Sequence, residues 1–219
     1  MKIFLDTSDV EVIRHHHKTG LIDGVTTNPT LMASYGKNPV EVIKEISEIF
    51  DGYGASISAE VMSETEDEML EEAEQYYNLS HNVTIKLPCT YEGLKACRKL
   101  SDFGVSTNVT LVFSVSQAIL AAKAGASLIS PFIGRVEDQR FDPLVLIQSI
   151  YKVYDNQGIV DTEILAASTR SVYHVEKAFE YGADVVTMPP TVFEKMYHHM
   201  LTDSGLEQFK RDWGKLSGV

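Results

Sequence analysis

The chain is poor in cysteine, with only Cys89 and Cys97 among its 219 residues. That number supplies neither a disulfide framework nor the four ligands of a structural zinc site, so both read as reduced thiols. Basic residues are also scarce. Nineteen Lys and Arg face 31 Asp and Glu, for a net charge of −12. A nucleic-acid duplex or an anionic membrane would repel that balance, which excludes both as partners. No stretch reaches the ~18 consecutive apolar residues of a membrane-spanning helix. The N-terminus has a single Lys and a short apolar run before Asp6, unlike a signal peptide, so the expected compartment is the cytoplasm. No Pro/Gly/Ser-rich linker or low-complexity tract interrupts the sequence, and residues 1–219 read as one domain. At 44% hydrophobic and 23% charged, the composition excludes a disordered chain. A domain of this size buries roughly 70% of its unfolded surface and needs no metal or disulfide to hold it.

What the chain does have is a rhythm. Short β-rich runs lie at 2–6, 22–26, 56–61, 83–87, 106–111, 127–132, 163–168 and 184–188. Amphipathic stretches separate them, among them 39–50, 66–77, 92–102, 114–123, 142–154 and 172–181. Repetition about every 20–35 residues is the spacing of βα units and a parallel sheet. Eight such strands predict a (β/α)8 TIM barrel. An open doubly wound sheet is the alternative, but it usually carries a glycine-rich loop after the first strand, where this chain has Asp6-Thr7-Ser8. A further helix over 205–216, with Leu206, Phe209 and Trp213 on one face, extends the barrel at the C-terminus.

Side chains alternate along a strand, so apolar positions reveal which polar ones point inward. Val83, Ile85 and Leu87 share one face, leaving Thr84 and Lys86 inward. An inward Lys is costly, because desolvation disfavours its charged form, and a neutral amine suits imine chemistry with a ketone. The bland alternative is a Lys whose head snorkels to water at a strand end. The same reading turns Phe4 and Asp6 inward, with Ser56, Ser58 and Glu60, then Asn108 and Thr110, then Leu128, Ser130 and Phe132. It turns Ile164, Ala166 and Ser168 inward from the seventh strand and puts Thr26 and Asn28 on one face after the second. The C-terminal strand ends are where such barrels carry their sites, and a Lys, two carboxylates and several amides and hydroxyls converge there.

Chemistry suggests roles for them. Lys86 would form a Schiff base with a substrate ketone, an electron sink for cleaving the adjacent C–C bond. Glu60 would move protons through the carbinolamine stages, and Asp6 would take the hydroxyl proton whose loss drives cleavage. Asn28, Asn108, Thr110 and Ser130 are positioned to hold substrate hydroxyls and water. Arg135 and Arg170 follow the sixth and seventh strands and are two of only six Arg. With Ser168 they form a phosphate-binding cluster, unless they are surface salt bridges of an acidic protein. His15-His16-His17 cannot share one helical face and reads as a solvated helix end rather than a metal site, and His198-His199 likewise. The acidic run over 64–74 reads as the wet face of a helix whose core side is Met69, Leu70 and Ala73. Cys89, near Lys86, reads as a packed thiol.

At these residues the sequence resembles the transaldolase family, in its short single-domain subfamily that also holds fructose-6-phosphate aldolases. The shared stretches are Phe4-Leu5-Asp6-Thr7, Gly24-Val25-Thr26-Thr27-Asn28-Pro29-Thr30, Ile85-Lys86-Leu87-Pro88, Asn108-Val109-Thr110-Leu111-Val112-Phe113-Ser114, Ser130-Pro131-Phe132-Ile133-Gly134-Arg135 and Ala167-Ser168-Thr169-Arg170. The resemblance implies that Lys86 is the Schiff-base lysine, that Asp6 and Glu60 are acid/base residues and that Thr110 helps place the catalytic water. It implies that Asn28, Asn108 and Ser130 bind a dihydroxyacetone unit, and that Arg135, Ser168 and Arg170 hold a phosphate. Sugar phosphates are the implied partners, no metal or organic cofactor is implied, and a homo-oligomer, pentamer or decamer, is. Aldolase members resemble this chain less at three positions. They have Gln for Glu60, Tyr for Phe132, and no Asn matching Asn108. The resemblance therefore implies a transaldolase. The alternatives are an aldolase releasing free dihydroxyacetone, an isomerase using Glu60 without an imine, and an inactive sugar-phosphate binder. Leu87 and Thr169 depart from the commoner family residues without touching a proposed role.

Overall fold

The computed structural model describes residues 1–217. Eight strands, β1 (Lys2–Asp6), β2 (Gly24–Thr26), β3 (Ser56–Glu60), β4 (Val83–Pro88), β5 (Thr107–Val112), β6 (Leu128–Pro131), β7 (Glu163–Ala166) and β8 (Val185–Met188), pair in order and in parallel. Pairing of β1 with β8, Ile3 opposite Val186, closes the barrel. The intervening helices are α1 (Val10–His17), α2 (Pro29–Tyr35), α3 (Pro39–Ile49), α4 (Glu66–Tyr77), α5 (Tyr91–Asp102), α6 (Val115–Lys123), α7 (Ile133–Asp138), α8 (Pro143–Gln157), α9 (Val172–Glu180), α10 (Pro190–Lys195) and α11 (Met200–Ser217). The expected (β/α)8 barrel is thus observed, with a C-terminal helix that starts at Met200 rather than at 205.

The helices begin where their sequences say they should. Asp9, Asn28, Asn38, Thr65, Thr90, Ser114, Asp142 and Ser171 each cap a helix by accepting a backbone N–H in its first turn. All of these but Asn38 and Asp142, which follow α2 and α7, stand in the loop directly after a strand, on the face that holds the site.

Two apolar clusters divide the core. The large one lies between strands and helices and includes Leu5, Val25, Ile57, Ile85, Val109 and Ile129. The small one fills the barrel itself with Phe4, Leu128, Leu165, Ala167 and Val185, and Phe132 packs against it. Phe4 needs room that only Gly24 leaves on β2, since a Cβ there would approach Phe4 Cε1 to 2.7 Å and crowd the Ser56 carbonyl. This plug fills one side of the lower barrel, where Ser56 and Thr84 pair their hydroxyls at 2.7 Å.

The seventh strand corrects the sequence reading. Leu165 and Ala167 point into the barrel, whereas Ile164 and Ala166 belong to the outer core. The run Ile-Leu-Ala-Ala is apolar on both faces, so alternation carries no phase. The histidine run does end a helix, but His16 is buried, edge-on to Phe193 and 3.4 Å from Glu194. In the acidic run, Met69 and Ala73 face the core as expected, while Glu66 is buried against Lys95 and Lys99. Among the described residues no helix is long and apolar enough to cross a membrane, and no group of three or more His, Cys, Asp or Glu is arranged to hold a metal ion.

Candidate active site

The upper end of the barrel opens into a cavity of about 130 Å³ lined by residues from six strands or the loops that follow them. Lys86 rises from β4 into it and is 4% exposed. Register puts Glu60 of β3 directly beside it, and Lys86 Nζ lies 2.8 Å from Glu60 Oε2. The ammonium also donates to the Thr27 carbonyl at 3.1 Å. Thr27 is itself fixed by donating its hydroxyl to the Ser58 carbonyl. A buried cation is tolerated here because a carboxylate and a carbonyl replace the water it loses.

Asp6 ends β1 on the same cavity. Burial pushes its carboxyl above the ordinary carboxylate range; a hydrogen bond from Thr26 and the Lys86 charge pull it partly back, and Glu60 pushes it up again. Thr26 Oγ1 donates to Asp6 Oδ1 at 2.7 Å and lies 2.6 Å from Thr187 Oγ1. With its own proton committed to Asp6, Thr26 accepts from Thr187, so two hydroxyls form a directed chain ending on the carboxylate.

Asn108 lies opposite Lys86 in the register of β5 with β4. Its amide donates to Ser58 Oγ at 3.2 Å and accepts from Ser130 Oγ at 2.7 Å, tying β3, β5 and β6 together inside the barrel. Thr110 follows two residues later, its hydroxyl buried without a hydrogen-bond partner among the described residues. Just beyond it, Leu111 takes φ +58° where the β5–β6 register shifts. A non-glycine residue in the left-handed region is strained, and here it marks the irregularity within β5 directly after Thr110, beyond which Val112 pairs with Pro131. Asn28 lines the cavity too, but its Oδ1 caps α2 through Leu31 N, which leaves its amide N–H groups to face a ligand. Cys89 stands apart from this chemistry; burial pushes its thiol up to about 11, the state of a packed thiol rather than a nucleophile.

The expected phosphate cluster is divided. Arg135 and Ser168 line the cavity, and the Arg135 guanidinium lies over the Phe132 ring, 4.9 Å from its centroid. Ser168 reaches the cavity not by strand alternation but by a φ of +59° after β7 ends. Arg170 is absent from the lining, and its fork is engaged by Asp138. Glu60 faces a neighbouring cavity of about 380 Å³ that also touches Thr27, Asn28 and Met32. Sequence reasoning missed Thr187 and the Thr27 carbonyl, and it turned Ser58 inward without giving it a partner. Thr187 was recoverable from β8, where it is the sole polar residue of Val-Val-Thr-Met near the strand's upper end.

The sequence profile described as Transaldolase/Fructose-6-phosphate aldolase matches residues 3–219. A probable transaldolase of Caulobacter vibrioides is 54% identical over 213 residues, 97% of this chain and 96% of the relative. One of Paracoccus denitrificans is 51% identical over 98% of this chain and 97% of its own, and one of Symbiobacterium thermophilum is 50% identical over 100% and 99%. Among solved structures, thiamine phosphate pyrophosphorylase from Pyrococcus furiosus superposes with a TM-score of 0.60 at 15% identity, covering 86% of this chain and 85% of that one. That likeness concerns the fold alone.

Proposed function

The chain belongs to the transaldolase/fructose-6-phosphate aldolase family and is an enzyme of the transaldolase type, and on that premise we propose that Lys86 carries its chemistry as a Schiff base. The substrate would be a ketose phosphate, sedoheptulose 7-phosphate or fructose 6-phosphate, whose dihydroxyacetone unit passes to an aldose phosphate. The observation that carries the reading is the buried contact of Lys86 Nζ with Glu60 Oε2 at 2.8 Å. Lys86 must shed a proton before its amine can attack a ketone, and Glu60 is within hydrogen-bond reach to take it. Glu60 then returns that proton, directly or through a water held by the Thr110 hydroxyl, to expel hydroxide from the carbinolamine as water.

Asp6 supplies the second proton transfer. As a carboxylate it takes the hydroxyl proton of the Schiff-base intermediate, the C–C bond breaks toward the iminium, and an aldose phosphate leaves. Protonated Asp6 returns its proton when the acceptor aldehyde arrives. Its raised pKa suits a group that must hold a proton between these half-reactions, and the Thr187–Thr26 chain orients it. Asn108, Ser130 and the Asn28 amide would hold the hydroxyls of the three-carbon unit. Arg135, Ser168 and Arg170 would hold the phosphate, against a global charge that repels it. The role fits carbohydrate metabolism of the pentose phosphate type, in the cytoplasm.

Transfer rather than release is supported by Glu60, Phe132 and Asn108, which follow the transaldolase pattern. Glyceraldehyde 3-phosphate release from fructose 6-phosphate, read by a coupled dehydrogenase, tests this. Release only with erythrose 4-phosphate present is expected. Equal release without it would make the chain an aldolase.

A further inference from the structure

Arg170 is committed elsewhere than to the cavity. Its Nη1 and Nη2 donate to Asp138 Oδ1 and Oδ2 at 2.5 and 2.6 Å, so the whole fork edge of the guanidinium is taken. Asp138 is the last residue of α7, the helix that also carries Arg135. The neighbouring backbone is held as well. Arg170 N–H donates to His174 Nδ1 at 3.3 Å, which leaves the ring proton on Nε2, 3.4 Å from Glu137 Oε1. The Arg170 side chain runs along the cavity rim, since a Cβ at Gly134 would lie 2.8 Å from its Nε and 2.9 Å from Ser168 Oγ. Arg170 therefore sits next to Ser168 with its fork turned onto a carboxylate. Both partners of the pair are about half exposed, so water screens it and a better ligand can displace it.

We propose that Asp138 is a specificity-determining residue that competes with the substrate phosphate for the Arg170 fork. A phosphate arriving beside Arg135 and Ser168 meets the same N–H donors that Asp138 holds, and must displace or share them. The Arg170 pairing keeps Asp138 ionised far below neutrality, so the competitor is always present. The inference rests on the transaldolase reading for its purpose. A transferase must empty and refill one phosphate site while the three-carbon unit stays on Lys86. A phosphate site made too tight would hold the first aldose phosphate and block the second. An internal carboxylate that reclaims Arg170 lets each phosphate leave.

Titration of the full-length protein with inorganic phosphate at constant ionic strength tests the idea without turnover. Asp138→Asn and Asp138→Ala are expected to bind phosphate at least threefold more tightly than the wild type. The KM for fructose 6-phosphate should fall relative to that for unphosphorylated fructose, and kcat for transfer should fall with it, because a tighter phosphate leaves more slowly. Glu137→Gln removes an equal charge one residue away, one that contacts His174 and acts on Arg170 only through space, and should change phosphate affinity less than either Asp138 variant does. A smaller gain, no gain or a loss in both Asp138 variants overturns the proposal, as does an equal gain in Glu137→Gln or absence of phosphate binding throughout. Borohydride trapping on the wild type separates the two readings. Its failure would refute the imine while the phosphate comparison still decides the role of Asp138.

Discussion

Asp6 exemplifies how single residues trade stability for chemistry. Its pKa is raised chiefly by burial, so the fold disfavours the ionised form. The cost is absent below the ordinary value of 3.8, grows as pH rises toward the raised value, and is constant above it. Asp6→Asn keeps the Thr26 hydrogen bond and removes the charge. It should melt higher than the wild type at neutral pH, by a margin that shrinks as pH is lowered toward 3.8, and lose about 10²–10⁴-fold in kcat. Thermal melts across pH, with steady-state rates, check both halves. Ser168 offers the opposite separation. Glycine adopts φ +59° without strain, so Ser168→Gly should leave the melting temperature no lower. Losing a hydrogen bond to a charged group, ~1.5–3 kcal/mol, should raise KM for phosphorylated substrates by tenfold or more. Lys86, Glu60 and Asp6 were legible from alternation alone, because each strand sets them among strongly apolar neighbours. The Arg170–Asp138 pair was not, since 32 residues separate its members and only the placement of α7 brings them together.

At the scale of elements, the barrel works by division of its interior. Phe4, Leu128, Leu165 and Val185 pack the lower part beside the Ser56–Thr84 hydroxyl pair, and the groups that line the cavity sit above them. Gly24 is central to this arrangement, because a side chain at that position of β2 would strike the Phe4 ring. Gly24→Ala should cost about 1–3 kcal/mol by overpacking, read as a lower denaturant midpoint. The strands were legible because β1, β3, β4 and β5 each mix polar inward with apolar outward residues. β7 was legible as a strand but not in phase, and Ser168 was assigned to the correct cavity from the wrong face. What repairs the assignment is a left-handed residue that no periodicity announces. The longer helices were legible from their amphipathic stretches, and the short helices α7 and α10 were not, since six residues hold too little pattern for a period of 3.6.

The whole molecule is acidic, yet the proposed substrates are anions. On that proposal Arg135, which lines the cavity, and Arg170, held by Asp138, would answer the field locally. The exposed Leu206, Phe209 and Leu216 of α11 accord with the homo-oligomer that the family resemblance implies. Sedimentation should give a species heavier than the 24.4 kDa chain, and Phe209→Glu should shift it toward the single chain. A wild type sedimenting at 24.4 kDa would refute assembly. The central claim, a Schiff base on Lys86, is tested most directly by borohydride reduction in the presence of fructose 6-phosphate, followed by peptide mass mapping. A reduced three-carbon unit on the peptide carrying Lys86, lost in Lys86→Met, is the predicted result. No adduct, or one that persists in Lys86→Met, would contradict it.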